Sequence, residues 1–568
     1  MVTYYKLLIE TGDYLLLETG DKILLESVFN ASVTISAKAN IIGPNALFAK
    51  GNIKETITKS VSAKATIQKS FTQIITAKGV ILRKFTQTII AKASIYVPIE
   101  EIIRLISAKI EIQWDGVSWT DESTYFLSAQ GNEKLTGLDG RGIASTLDIE
   151  VDNTDERFTP DNTSSPLSGY IKPHVPIRVS VIIGIEYKMF TGYIKNIHPN
   201  MKARICSLEC FDNQVLVYNK EANGVVYEDY RSDQLLTVLA GLADLKVAQY
   251  SFDVGLYTVN FGYFGGRNVW PVMGEVAVAE RGRIFFNRDG ILTFWNRDRL
   301  HNLGISYTLT LDDWITDLDY SVAEHEIKNA VTVQAKPRAS AGIQVVWSNG
   351  NVEYLDPYSD TLVLVPAYGT QAAWLELEDP CSTFITPVRD TDFIANSEQD
   401  GSGSDLSANI TVTDFTNYGD AVYLNVLNTG ATNAYLTTFQ IRGNPVRVLK
   451  YIRITAEDDT SISLYGRQKE LIENDFIQDE GGASEIAYEE LWRRQDAINL
   501  FSVDIIGIPY LLCGDVVSVE YIAGTYKNAM IDKIDWTLDD GGFKQKLTLI
   551  DPYVFPEIQR ISARATIA

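Results

Sequence analysis

Two polar loops supply hard oxygen ligands of the kind calcium takes. Asp152, Asn153, Asp155, Asp161 and Asn162 cluster in the first, and Asp400-Gly401-Ser402-Gly403-Ser404-Asp405 forms the second. Calcium takes six to eight oxygens from positions fixed along a loop. The first loop lacks EF-hand spacing, and the second has Thr411 where a closing glutamate would stand. Both read as turns whose Asp, Asn and Ser side chains cap their own backbone, so no metal ligand is assigned. Cys206 and Cys210 share one strand and lie about 13 Å apart at strand rise, too far to bridge. With Cys381 and Cys513 they read as small buried hydrophobes in a reducing compartment. His174, His198, His301 and His325 are scattered over separate segments, and no H-E-x-x-H, G-x-S-x-G or P-loop is present. A glycosidase-type carboxylate pair would have 73 acidic residues to draw on. Trp374, Tyr418, Tyr423 and Tyr435 would stack on sugars, or belong to a strand core. The resulting expectation is no catalytic residue, no cofactor-binding residue, no metal site and no enzyme.

The elements around the first loop are strands. Leu147, Ile149 and Val151 alternate with Asp148, Glu150 and Asp152, the pattern of a half-buried strand. The loop from Asn153 to Ser165 follows. Pro160, Pro166, Pro173 and Pro176 keep the route from becoming helical. Within the loop, Phe158 is expected to anchor by burial and Arg157 by pairing with a carboxylate. Strands resume at Ile177-Val179-Val181 and at Met189–Ile194, after a turn at Gly184.

The run V-D-N-T-D-E-R-F-T-P-D-N at 151–162, then S-S-P-L, P-H-V-P-I-R-V and F-T-G-Y-I, resembles the hub (tail-tip or baseplate) proteins of long-tailed bacteriophages. So do Glu280–Arg297, a helix end followed by a hairpin with Asp289-Gly290 at its tip, and Gly514-Asp515-Val516-Val517-Ser518-Val519. The resemblance covers roughly residues 110–345 and 450–552. It implies a structural virion protein of the tail, made in the host cytoplasm. It also implies a homo-oligomeric ring, a trimer, around the DNA channel. The implied partners are distal tail and tail-tube proteins, the tape measure, and tail fibre or spike proteins. DNA would pass through without specific binding during ejection, with host attachment as the wider task.

The bulk properties fit that picture. Of 568 residues, 45% are hydrophobic and 22% charged, ordinary globular material, and abundant Tyr, Phe, Val, Ile and Thr favour strands. No apolar run approaches the ~18 residues of a membrane span, and no signal peptide is legible. The net charge of −23 opposes binding to nucleic acid. Its distribution is uneven: ten Lys and two Arg against three Glu between Ser36 and Ile110 give that stretch +9 and leave the remainder −32. A basic arm laid against an acidic neighbour, or a lysine-rich face that protects a sheet edge, would account for it.

Two repeats open the chain. Residues 7–26 read LLIETGDY, LLLETGDK, ILLE, and from Ile57 three fourteen-residue units follow, ITKSVSAKATIQKS, FTQIITAKGVILRK and FTQTIIAKASIYVP, with an Ala- or Gly-centred apolar face. Ile561–Ile567 repeats the pattern and would pair by strand addition, in its own chain or a neighbour's.

The expected class is mainly β (α+β): several β-barrel or sandwich domains of tail-hub type, a small helix-containing domain and an N-terminal β-repeat arm. The expected segments are 1–30, an octapeptide repeat; 31–110, a basic repeat arm; 111–230, a hub β-domain; and 231–304, helix plus hairpin. Then come 305–347, hub strands; 348–450, an inserted sandwich; 451–552, the C-terminal hub β-domain; and 553–568, a strand resembling the repeats. In 231–304 an N-cap at Ser232-Asp233 and a helix over Pro271–Arg281 are expected, followed by a hairpin around Asn287–Gly290. In 451–552 a helix over Ser484–Ala497 would bury Ile486, Ala487, Leu491 and Trp492. A structural ring subunit is the leading reading. A glycan-binding tail protein and a tail-associated cell-wall hydrolase are the alternatives.

Overall fold

A computed structural model describes residues 106–551, apart from 136–141, 317, 324–326, 356–372, 378 and 523; before residue 106 it describes only two-residue strands. The chain divides into two compact units, 1–107 with 182–185 and 108–181 with 186–568. In the first, Asn52–Ile53, Thr66–Ile67, Val80–Ile81 and Ser94–Ile95 pair in parallel, in that order. Ile67 stands opposite Ile81, and Ile81 opposite Ile95, so the pairing offset equals the fourteen-residue period of the sequence. Each unit stacks on the next in register; a hairpin would have paired them antiparallel. Part of the expected sandwich, 356–372, and the strand expected at 561–567 lie outside the described residues.

The second unit is built on a thirteen-stranded sheet. Its long path runs through Ile106–Ile112, Pro176–Ile183, Ile185–Asn200, Ile205–Asp212, Ile143–Asp152 and Phe126–Leu135. It then crosses to Thr525–Asp539, Gly542–Ile550, Ile498–Ile506 and Asp319–Ala323. Val516–Ile522 branches from Thr525–Asp539 and pairs in parallel with Ile305–Leu309. No barrel closes among the described strands. The alternation read from the sequence holds: Leu147, Ile149 and Val151 are fully buried, while Asp148 and Glu150 face outward.

The crossing joins segments four hundred residues apart. Ala129 to Lys134 pair antiparallel with Leu538 to Lys533. At its centre Gly131 faces Trp536, whose indole lies across the glycine backbone; a Cβ on residue 131 would come within 2.1 Å of the ring. Glycine here is a demand of close approach, since strand propensity disfavours it.

A helical layer sits beside the sheet. Ser232–Leu242, Val269–Glu280 and Glu480–Arg494 share one core with the Arg283–Phe286 and Leu292–Trp295 hairpin. The strand Ala330–Ala335 joins the same core between Ile452–Glu457 and Lys469–Glu473. The expected helix boundaries shift. Arg231, not Ser232, occupies the N-cap, and Ser232 is the buried first helical residue. The helix expected from Pro271 starts at Val269, because the Asn268 side chain accepts from the Trp270 N–H and caps it. It stops at Arg281, whose φ of 61° is left-handed. Trp492 is a correction: Ile486, Ala487 and Leu491 are buried, but the indole is 36% exposed. The helix's inner stripe ends before the full 3.6-residue pattern does.

A second sheet pair forms a sandwich. The long strand Ala434–Val448 collects Arg338–Ser340, Gln344–Ser348, Glu353–Leu355, Cys381–Ile385 and Phe393–Asn396. Ala373–Glu376, Ala421–Asn428 and Ile410–Asn417 make the facing sheet. Leu355, Phe393, Val422, Leu424, Leu436 and Phe439 fill the space between.

Gly131→Ala is expected to lower stability by about 3 kcal/mol, opposite in sign to its strand propensity, because Trp536 must leave its seat. Denaturant titration followed by tryptophan fluorescence reads the loss; an unchanged midpoint contradicts this role for the glycine.

Candidate functional site

The chemistry-bearing side chains converge at two anchored turns on one sheet. The first is the 153–175 loop. Its backbone is a succession of turns at a three-residue interval: the N–H groups of Glu156, Thr159, Asn162, Ser165 and Ser168 donate to the carbonyls of Asn153, Glu156, Thr159, Asn162 and Ser165. Asn153 is buried; its Oδ1 accepts from the Phe158 N–H at 2.8 Å and its Nδ2 donates to Thr159 Oγ1 at 3.0 Å. Asp152 accepts from the Thr154 hydroxyl and N–H, which hold its carboxyl below the usual range. Asp155 and Asn162 accept from backbone N–H groups in the same way. These oxygens are committed to turns, the alternative weighed above against a calcium loop.

Arg157 and Phe158 anchor this loop as expected, and the structure supplies the partner. Phe158 is fully buried against Trp114 and edge-on to Tyr125. Arg157 Nε and Nη2 donate to Glu122 Oε2 and Oε1 at 3.0 and 2.8 Å, and Trp114 Nε1 donates to the same carboxylate at 3.0 Å. Glu122 has no solvent exposure. A buried, fork-shaped pair of this kind is directional as well as strong.

The second anchor is the hairpin tip. Asn287 closes the turn through its N–H to Ile291 O, and Gly290 has a φ of 76°. A Cβ on Gly290 would meet Asn213 Nδ2 at 2.6 Å, so this tip seats directly on the sheet. Asn213 Nδ2 donates to Gly290 O, Thr191 Oγ1 donates to Arg288 O, and Lys188 pairs with Asp289 at 2.7 Å. Arg288 then turns inward. It donates to Glu133 through Nε and Nη2 at 2.6 and 3.1 Å, to Pro509 O at 2.6 Å and to Leu511 O at 2.9 Å. Glu133 is 2% exposed. Beside this clamp a cleft of about 680 Å³ opens between Tyr187, Lys188, Trp295, Arg299 and Tyr510. Arg299 lies over the Trp295 ring at 4.6 Å, and Tyr510 sits between Tyr187 and Tyr307.

Asp212, at the end of its strand, ties Ser145 of the neighbouring strand to the turn at Gln214. Its carboxylate accepts from Ser145 N, Gln214 N and Gln214 Nε2, and burial pushes its pKa up to about 6.

The remaining candidates do not join these clusters. The four cysteines are free and buried, and burial pushes the Cys206 and Cys381 thiols up to about 12. His174 has a left-handed backbone (φ 65°) and packs edge-on to Phe211; His198 faces Glu209 and His301 faces Glu489. His325 lies outside the described residues. Asp400 caps Ser402. Tyr435 packs against Tyr354 within the sandwich, while the Trp374 side chain is not among the described ones. Sequence reasoning missed Glu122, Glu133 and Arg288. Their partners lie 35 and 155 residues away, and the stretches S-W-T-D-E-S-T around Glu122 and Q-G-N-E-K around Glu133 are polar, so no local pattern marks either carboxylate as buried.

No family model matches the chain, and no curated protein matches it. Among solved structures it is similar to the 43 kDa tail protein of prophage MuSo2 from Shewanella oneidensis (10% identity, TM-score 0.43, 79% of this chain and 99% of that one). A tail protein from Neisseria meningitidis MC58 gives the same figures. The prophage tail protein gp18 from Listeria monocytogenes follows, with 8% identity, TM-score 0.40, and coverage of 78% and 94%.

Arg288→Ala leaves the Glu133 carboxylate and two carbonyls without their donor inside the protein, and is expected to cost about 3–5 kcal/mol by denaturant titration. A loss under about 1 kcal/mol contradicts the clamp. Asp212 gives a pH signature. Its folded pKa lies above the unfolded value, so its contribution to stability is full below about pH 4 and declines as pH rises through about 6. Wild-type stability, measured against Asp212→Asn, is therefore expected to fall by up to about 3 kcal/mol between pH 4 and pH 7. Parallel pH profiles of the two proteins rule this out.

Proposed function

We propose that this chain is a structural subunit of a phage tail tip or baseplate, a hub that forms a ring around the DNA channel. The ring joins the tail tube to fibres or a spike. The observation that carries this reading is the order of the three short motifs at 151–194, 280–297 and 514–519, combined with what the fold does with them. The first and third supply strands of the large sheet, and the tip of the second, whose hairpin belongs to a separate small sheet, seats on it. The loop and the hairpin are pinned to it by buried arginine forks, and the third motif supplies the strand Val516–Ile522. Nothing in the two anchors is arranged to move protons or attack a bond. What they provide is rigidity between segments distant in sequence, which a load-bearing ring subunit requires.

The electrostatics support passive passage of DNA. At −23 net charge the chain repels phosphate, and a lumen wall of that sign would let a polyanion slide past. Tail-tube proteins, the tape measure and fibre or spike proteins are the partners this reading assigns, with a trimeric ring as its stoichiometry. Tail assembly in the host cytoplasm and residence in the virion follow from the same reading.

Native mass spectrometry of the full chain is expected to give a species of about three times the 63.3 kDa chain mass. Cryo-electron microscopy of the particle should place that species at the distal end of the tail with an acidic lumen. A stable monomer, or a ring whose lumen is basic, sinks the proposal.

A further inference from the structure

Among the described residues, the large sheet ends on an apolar lip that has no cover. Asp319–Ala323 pairs with Ile498–Ile506 on one side only, and among the described residues nothing pairs with its other edge. The preceding residues continue the same lip: Trp314 bridges to Ile505, and the Ile315 N–H donates to Asp504 O. Tyr320 shares a face with Phe501, Val503 and Ile505, all buried, yet Tyr320 is 44% and Val322 62% exposed. Tyr320 also lies 6.0 Å from the ring of Tyr521, so the lip faces the end of Val516–Ile522 without pairing to it. Exposed Ile522 and Tyr526 flank the gap. A row of free backbone groups beside exposed apolar side chains is a template for one more strand.

The chain carries a fitting strand close by. The last described residue, Asp551, is held by the N–H and side chain of Asn499, whose cross-strand partner is Val322. The backbone therefore leaves the sheet two strand spacings, about 10 Å, from the lip. Pro552 and Pro556 interrupt any simple continuation of Gly542–Ile550. Nine residues, 552–560, then span up to about 30 Å, ample for the return. They lead into Ile561-Ser562-Ala563-Arg564-Ala565-Thr566-Ile567, which matches Ile106-Ser107-Ala108-Lys109-Ile110-Glu111-Ile112 at the Ile, Ser, Ala, basic and final Ile positions. That earlier copy is a strand of this very sheet, with Ile110 and Ile112 buried. Charge agrees: Arg560 and Arg564 are the basic residues of this segment, and Asp319 opens the lip strand.

We propose that residues 561–567 add in cis, antiparallel, to the free edge of Asp319–Ala323, covering Tyr320 and Val322. The occupant is the same chain's own segment, delivered from Asp551, and the inference holds whether or not the tail-hub reading does.

Hydrogen exchange read by mass spectrometry on residues 318–323 tests it. Three proteins are compared: the full chain, a chain ending at Asp551, and full-length Ala565→Pro, which blocks the strand without removing it. Exchange in the full chain is expected to be slower by about tenfold or more than in the other two, with Phe126–Leu135 unchanged as the control for folding. Equal exchange in all three overturns the proposal. Isotope-labelled chain ending at Asp551 is then mixed with unlabelled full chain. If the labelled chains stay unprotected, the strand is supplied in cis. If they gain protection, it is donated by another copy, and the cis assignment is wrong.

Discussion

The fork between Arg288 and Glu133 is the constraint on which the rest of this structure depends. One guanidinium serves a strand of the first half of the sheet, the tip of the hairpin from the helical layer, and the carbonyls of the turn before Val516. Its donors lie in a plane at fixed angles, so these three segments have one mutual placement that satisfies them all. Two charges taken out of water gain little net stability from each other, but a misplaced partner would leave one charge buried and alone. The pair thus penalises wrong arrangements more than it rewards the right one.

The same device recurs at the 153–175 loop. There Arg157 reaches back to Glu122 while Phe158 fills the core beneath it. A loop of this length would ordinarily carry many conformations. Successive turns, each closed by a backbone hydrogen bond and several reinforced by Asp, Asn or Ser caps, reduce them sharply. The result is a stiff projection whose position is set by one buried ion pair and one aromatic ring. Both anchors take an arginine from a turn to a glutamate sealed within the sheet region.

Between them the sheet is continuous across a long gap in sequence. Trp536 lying on Gly131 makes the joint between the 126–212 strands and the 498–550 strands. The sandwich attaches by two neighbouring strands, Arg338–Ser340 and the end of Ala434–Val448, so it joins the body through a paired root.

Much of this was legible in local pattern. Alternating apolar residues marked the strand at 147–151, the G-D-V-V-S-V resemblance the one at 516–519, Asp289-Gly290 the hairpin, and Arg157-Phe158 an anchored loop, because each depends on neighbours within a few residues. The pairing of repeats was also implicit, since a fourteen-residue period permits in-register stacking. Sequence alone left open which carboxylate answers Arg157, that Arg288 would be sealed inside, that Ser232 would yield the N-cap to Arg231, and that Trp492 would face solvent. Those outcomes belong to tertiary structure: the arginine partners alone are brought together from 35 to 223 positions apart, and no local periodicity encodes such distances.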